Sequence, residues 1–229
     1  MATQKLVCFF HIPKTGGTAI RALIEKTVPR ERYFWQHEGG NPLDYIYLDQ
    51  VPLENRLDYF NRLQFLGGHF EYDYTGVLRG VGVEPIFAAV VREPFSRVVS
   101  HYEFLEEIEG RKPAPEHFYD TFYKKTDFWK DQDSYQLFCV TGQTQFNNGI
   151  RTLDRHDYLL VPLANIHILV AELAKYIPEL NGNRLMIYNE NEDKAYLEKY
   201  NNQTANNDIC EFLKEDSRFF EWVSNRCPV

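Results

Sequence analysis

Leu6-Val7-Cys8-Phe9-Phe10-His11-Ile12-Pro13-Lys14-Thr15-Gly16-Gly17-Thr18 is the stretch from which the fold can be read. Residues 6–12 form a nearly continuous apolar run, as expected for a strand covered on both faces of a parallel sheet. Pro13 ends that run, and two glycines make a turn. Ile20, Leu23, Ile24 and Val28 then recur at helical spacing. Strand, glycine turn and amphipathic helix in direct succession open an α/β fold.

The pattern returns downstream. Glu84–Val91 reads as a second fully buried strand, followed by Arg92-Glu93 and by Pro94, which suits the first position of a helix. Phe95, Val98, Val99, Tyr102, Leu105 and Ile108 give that helix its 3.6-residue period, and Gly110 ends it. Phe65–Phe70 reads as a strand whose paired glycines, Gly67 and Gly68, permit close backbone approach. Alternating strands and helices predict a central parallel sheet flanked by helices, with a P-loop-like strand–loop–helix at the N-terminus.

Other segments are assigned by period and length. Residues 31–50 show no period and read as loop, and Pro52–Leu63 reads as a short helix. Helices are expected over Glu116–Tyr123 and Asp131–Val140, with a mobile loop over Thr141–His156. Ile166–Val170 reads as a further strand, and the last forty residues as mostly helical. There is no internal repeat and no linker-like connector, so residues 1–229 are expected to form a single domain.

Composition bounds the function. A chain of 229 residues buries roughly 70% of its unfolded surface and needs no metal or disulfide staple. Lys and Arg number 25 against 33 Asp and Glu, a net charge of −8. That argues against nucleic acid or another extended polyanion as partner. The longest apolar strand run, Ile86–Val91, is far short of a membrane span, and the N-terminus lacks a signal-peptide pattern. The expectation is a cytoplasmic chain; a luminal domain of an anchored protein would carry the same composition. Cys8, Cys139, Cys210 and Cys227 show neither CxxC pairing nor zinc spacing, and Cys8 and Cys139 read as buried thiols.

Two loops carry chemistry. In His11–Thr18, glycines let the backbone wrap an oxyanion, and a helix N-terminus offers free N–H groups and a favourable dipole. Lys14 adds a positive charge that reaches a bridging or leaving oxygen. A Walker A loop places its Lys after the glycines; Lys14 precedes them. In Arg92-Glu93-Pro94-Phe95-Ser96-Arg97-Val98-Val99-Ser100-His101-Tyr102, Arg92 lies at the C-terminal end of a strand, where open α/β sheets bind ligands. Arg92 and Ser100 together suit a phosphate monoester. A plain strand-to-helix connection with solvated arginines would share that wording.

HIPKTGGT followed by RxPxxRxxSxY resembles the two cofactor loops of sulfotransferases that use 3′-phosphoadenosine 5′-phosphosulfate (PAPS). The wording is most similar to the carbohydrate branch, which includes the heparan sulfate 2-O and 6-O enzymes. Fainter resemblances lie at Leu66–Phe70, Ser134–Gly142 and Asp216–Trp222. The resemblance implies that Lys14, Thr15, Gly16, Gly17 and Thr18 hold the 5′-phosphosulfate and that Arg92 and Ser100 hold the 3′-phosphate. It implies PAPS as co-substrate, no metal, and His69 as catalytic base.

His69 follows a glycine pair near a strand end, and imidazole has a suitable pKa for a base; Glu71 is the fallback. Lys14 would stabilise the leaving phosphate. His11 is expected to be structural, and His101 to pack or touch the edge of the substrate. Trp35, Tyr72, Tyr74 and Trp129 read first as packing and second as a pocket wall. The expected partner is a hydroxyl-bearing acceptor, a sugar or small metabolite rather than a long polyanion. The alternatives are a nucleotide-dependent kinase, which needs acidic metal ligands near its nucleotide, and a non-catalytic nucleotide-binding protein.

Overall fold

The computed structural model describes residues 4–36, 58–78, 82–183, 185 and 198–227. Its centre is a parallel sheet built from β1 (Gln4–Phe10), β2 (Tyr33–Gln36), β3 (Phe65–Gly68), β4 (Val83–Val91) and β5 (Tyr158–Pro162), in the order β2-β3-β1-β4-β5. The register places Phe10 of β1 beside Gly68 on one side and Ala89 on the other. The chain crosses β1 between β3 and β4, so the C-terminal ends of these three strands meet where the strand order reverses. Open α/β sheets place ligands in that crevice.

Successive residues of a strand point to opposite faces, and here both faces are covered. Leu6, Cys8 and Phe10 pack with Leu137 and Val140 of α4 (Tyr135–Thr141), Leu153 of α5 (Phe146–Leu153), and Phe219 and Val223 of α8 (Lys214–Ser224). Val7 and Phe9 pack with Ile20, Leu23 and Ile24 of α1 (Gly17–Thr27) and with Leu169, Val170 and Leu173 of α6 (Ile166–Leu173). Each such side chain contributes about 1.5–3 kcal/mol by leaving water. A third cluster joins Val98, Val99 and Tyr102 of α2 (Pro94–Ile108) to Phe118 of α3 (Pro115–Tyr123), Trp129, and Ile209 of α7 (Gln203–Phe212).

The structure revises several expectations. Within residues 31–50, Tyr33–Gln36 is the edge strand β2, and Tyr33, Phe34 and Trp35 are buried. A four-residue strand is too short to show a period. It sits close to β3 because Gly67 and Gly68 have no side chains: a Cβ on Gly67 would lie 2.6 Å from the Trp35 ring, and one on Gly68 2.8 Å from the Gln36 carbonyl. Thr141–His156 is not a loop throughout, because Phe146–Leu153 is helical, with Phe146, Ile150 and Leu153 facing the core.

Ile166–Val170 is helix rather than strand. Its buried positions, Leu169, Val170 and Leu173, follow helical spacing once Leu173 is included, and the sheet edge is already taken by Tyr158–Pro162. The expected helix over Asp131–Val140 is confined to Tyr135–Thr141. Ile108, assigned to the apolar face of α2, is 65% exposed. Of Pro52–Leu63, residues 58–60 are helical, and 52–57 lie outside the described residues. The four cysteines are free thiols, with Cys8, Cys139 and Cys227 buried and Cys210 exposed. Among the described residues no helix is long and apolar enough to cross a membrane.

Candidate active site

The first loop leaves β1 and turns tightly into α1. Lys14 and Gly16 both take left-handed backbone conformations, with φ of 67° and 86°. For a lysine this costs about 1–3 kcal/mol; left-handed residues in a tight turn are how backbone N–H groups converge on an anion. Gly16 is the N-cap of α1 and no side chain caps the helix, which leaves the first turn open to a ligand. Thr15 is buried, and its hydroxyl donates to the Ile12 carbonyl at 2.9 Å. That side chain closes the loop, so what Thr15 offers an anion is its backbone N–H. Thr18 is exposed in the first turn of α1.

The Lys14 ammonium lies 4.3 Å from the centroid of the half-exposed Phe104 ring. Burial and then the nearby Arg92 guanidinium push its pKa below the usual lysine value, against the opposing pull of Glu107 and Glu103.

Arg92 follows the last residue of β4, and its Nη1 donates to the Lys14 carbonyl at 3.3 Å. The two cofactor-type loops are therefore in direct contact. Glu93 then caps α2: its carboxylate accepts from the backbone N–H groups of Phe95 at 3.0 Å and Ser96 at 2.7 Å. That N-terminus is filled by its own side chain, so an anion at this loop depends on side-chain donors such as Arg92 and Ser100. Ser100 is buried two turns into α2. Arg97 is not solvated. It is fully buried and donates to Gln132 Oε1 at 2.6 Å.

His69 follows β3 and is half-buried. Its ring stacks on His11, with centroids 4.1 Å apart and planes inclined by 25°. Burial, with the neighbouring His69 and Arg21, lowers the His11 pKa to about 3, so His11 is a neutral partner. It is structural, as expected: its ring fills the space beside Gly17, where an added Cβ would lie 1.9 Å from Cδ2. His101 has its pKa lowered to about 4 by burial first, then by Arg97, Lys14 and His69. His101 thus lies within electrostatic reach of Lys14 and His69. Glu71 is exposed, with its pKa raised by partial desolvation and by Asp73 and Asp131.

Trp35 and Trp129 are core residues, each 4% exposed. Tyr72 donates to or accepts from His156 Nε2 at 2.8 Å, and Tyr74 packs on Phe70; both serve packing. His37 lies outside the described residues.

Two residues of this region escape a reading of the sequence. Gln136 is fully buried and holds the Arg92 backbone through both polar atoms of its amide, at 2.9 Å each. Asp216 is fully buried and accepts from the backbone N–H groups of Gln136 at 3.0 Å and Leu137 at 2.9 Å. The sequence signals were a polar residue within an amphipathic helix and the faint resemblance of the stretches Ser134–Gly142 and Asp216–Trp222, neither of which singles out these two side chains.

No family model matches the chain. It is 28% identical over 115 residues to heparan sulfate 2-O-sulfotransferase 1 of Mus musculus, a match that covers 48% of this chain and 32% of the relative. The same enzyme of Xenopus laevis and of Gallus gallus is 27% identical over the same length. The sequence similarity is thus to carbohydrate sulfotransferases, over about half of this chain. The match spans about a third of the length of these relatives. Among solved structures, the mouse sulfotransferase SULT7A1 complexed with PAP aligns over 95% of this chain and 86% of its own, with a TM-score of 0.47 and 14% identity. Retinol dehydratase in a complex with retinol and PAP aligns over 89% of this chain with a TM-score of 0.24.

Proposed function

We propose that residues 1–229 form one sulfotransferase-like domain that moves the sulfuryl group of PAPS to an acceptor hydroxyl by in-line displacement. One observation carries this reading. The Lys14 loop, His69 and Arg92 leave the C-terminal ends of three adjacent strands, β1, β3 and β4, and the Arg92 guanidinium touches the Lys14 carbonyl.

In this reading the backbone of Lys14–Thr18 and the N-terminus of α1 hold the 5′-phosphosulfate, while Arg92 and Ser100 hold the 3′-phosphate. Two anion sites flank one cleft, and the nucleotide bridges them. His69 takes the acceptor proton as the acceptor oxygen bonds to sulfur. The bond from sulfur to the bridging phosphate oxygen breaks, and its electron pair stays on the leaving phosphate. Lys14, half-buried, faces that developing charge in a low-dielectric setting where its attraction is strong. The protein's part is positioning and electrostatics, without a covalent intermediate.

The acceptor is read as a sugar or small-molecule hydroxyl. The relatives are named for heparan sulfate, which supports a carbohydrate, a polysaccharide in their case; the net charge of −8 favours a less anionic acceptor for this chain. Calorimetry tests the nucleotide assignment. The 3′,5′-bisphosphate PAP should bind at least tenfold more tightly than 5′-AMP or ATP, because only it engages both anion sites. ATP binding as tightly or more so, with a magnesium requirement, would replace this reading with a kinase.

A further inference from the structure

We propose that Gln136 is a positioning residue for the nucleotide, holding Arg92 in register with the 3′-phosphate; the inference rests on the PAPS reading above. Arg92 is the first residue beyond β4, and the ladder to β5 ends at the Val91–Pro162 pair. Past that point, among the described residues, the ladder between the strands does not continue. Gln136 takes the strand's place: its Nε2 donates to the Arg92 carbonyl and its Oε1 accepts from the Arg92 N–H, both at 2.9 Å. A primary amide of this reach offers a donor and an acceptor side by side to one residue's backbone without any change of protonation.

The amide is itself held from behind. Asp216 accepts from the N–H groups of Gln136 and Leu137, one on each carboxylate oxygen. It thereby fixes the first turn of α4 from a helix 80 residues later in sequence. Asp216 and Gln136 are both fully buried. In such surroundings an unmade hydrogen bond goes unreplaced by water, so the linkage is stiff. Asp216 thus fixes α4, α4 carries Gln136, and Gln136 sets the backbone from which the Arg92 side chain reaches out. Two stretches that only faintly resemble the sulfotransferases, Ser134–Gly142 and Asp216–Trp222, are joined by this contact.

The test is nucleotide binding by the intact chain and by Gln136→Met, which keeps the volume and removes both hydrogen bonds. PAP affinity should fall by about tenfold or more, the scale of a charge-assisted contact knocked out of line. Affinity for adenosine 5′-phosphosulfate, which lacks the 3′-phosphate, should change less than threefold. In an Arg92→Ala background, Gln136→Met should cost nothing further. Equal losses for both nucleotides, or losses that multiply in the double variant, would overturn the proposal. Arg92→Ala alone reports on the underlying reading: if it does not discriminate between the two nucleotides, the assignment of the 3′-phosphate to Arg92 fails first. Thermal melts accompany each variant. If Gln136→Met does not fold, Gln136→Leu, which likewise removes both the donor and the acceptor, should show the same selective loss. Unfolding of both variants would assign Gln136 to structure alone and overturn the proposal.

Discussion

The His11 imidazole stacks on that of His69, ring centroids 4.1 Å apart, and the same His11 ring fills the space that Gly17 leaves by having no Cβ. One side chain thus ties the start of the phosphosulfate-type helix to the proposed base. Gly17→Ala should push His11 off His69, because the new Cβ would lie 1.9 Å from Cδ2, far inside contact distance. Turnover should fall more than tenfold, and the variant should melt at lower temperature. His11→Phe keeps a ring in that place and should retain much more of the turnover. A Gly17→Ala enzyme with normal kinetics would separate the helix from the base.

The buried titrating groups set an acid limb in stability. Burial holds the pKa of His11 at about 3 and of His101 at about 4 in the native state, against an ordinary value near 6.5 when unfolded. Groups depressed in this way stabilise the fold above the unfolded pKa and lose that contribution as pH falls. Asp216 runs the other way. Burial outweighs Arg97 and the two backbone donors and raises its pKa to about 6, so its contribution is greatest below pH 4 and is lost as pH rises through 6. Two histidines outweigh one carboxyl. Between about pH 4.5 and 6 these three groups together hold roughly one more proton in the unfolded chain, so their share of the stability should rise by about 1.4 kcal/mol per pH unit. Denaturant titrations at pH 5, 6 and 7 check the slope, and Asp216→Asn should steepen it. Stability that falls with rising pH across this window would mean that Asp216 dominates.

Arg92 and Lys14 should separate in kinetics. Arg92→Ala removes a charge-assisted donor from the proposed 3′-phosphate site and should weaken PAP binding by about 1.5–3 kcal/mol. Unchanged affinity by calorimetry would take Arg92 out of the site.

In the proposed mechanism Lys14 faces charge that develops only as the S–O bond breaks. Lys14→Ala should therefore lower turnover by a larger factor than it weakens PAP binding. Equal losses would reduce Lys14 to uniform binding. Lys14→Arg should not restore turnover, because a planar guanidinium on a longer stem places its charge differently from the Lys14 ammonium.

The two cofactor-type loops were legible because each combines a long apolar strand, a turn and a helix start in one short continuous stretch. Leu6–Thr18 and Glu84–Ser100 carry all of those signals locally. β2 was hidden because four residues cannot display a period, and its place beside β3 depends on glycines more than thirty residues away. Ile166–Val170 misled because a short apolar run fits strand and helix alike; only Leu173 and the hydrogen bonding of Tyr158–Pro162 to β4 decide it. Gln136 and Asp216 were invisible as functional residues because their roles are pairings across 44 and 80 positions, which no local pattern encodes.

The central claim is sulfuryl transfer to a hydroxyl with His69 as base, and a labelled-PAPS transfer assay on the intact chain and on His69→Ala tests it most directly. With sugar, small-metabolite and phenolic acceptors offered in parallel, the intact chain should pass label to a hydroxyl acceptor. His69→Ala should do so about 10²–10⁴-fold more slowly, with PAP affinity and melting temperature nearly unchanged, while Glu71→Ala should cost much less. No transfer to any acceptor class by a chain that binds PAP, or a His69→Ala variant as fast as the intact chain, would contradict the account.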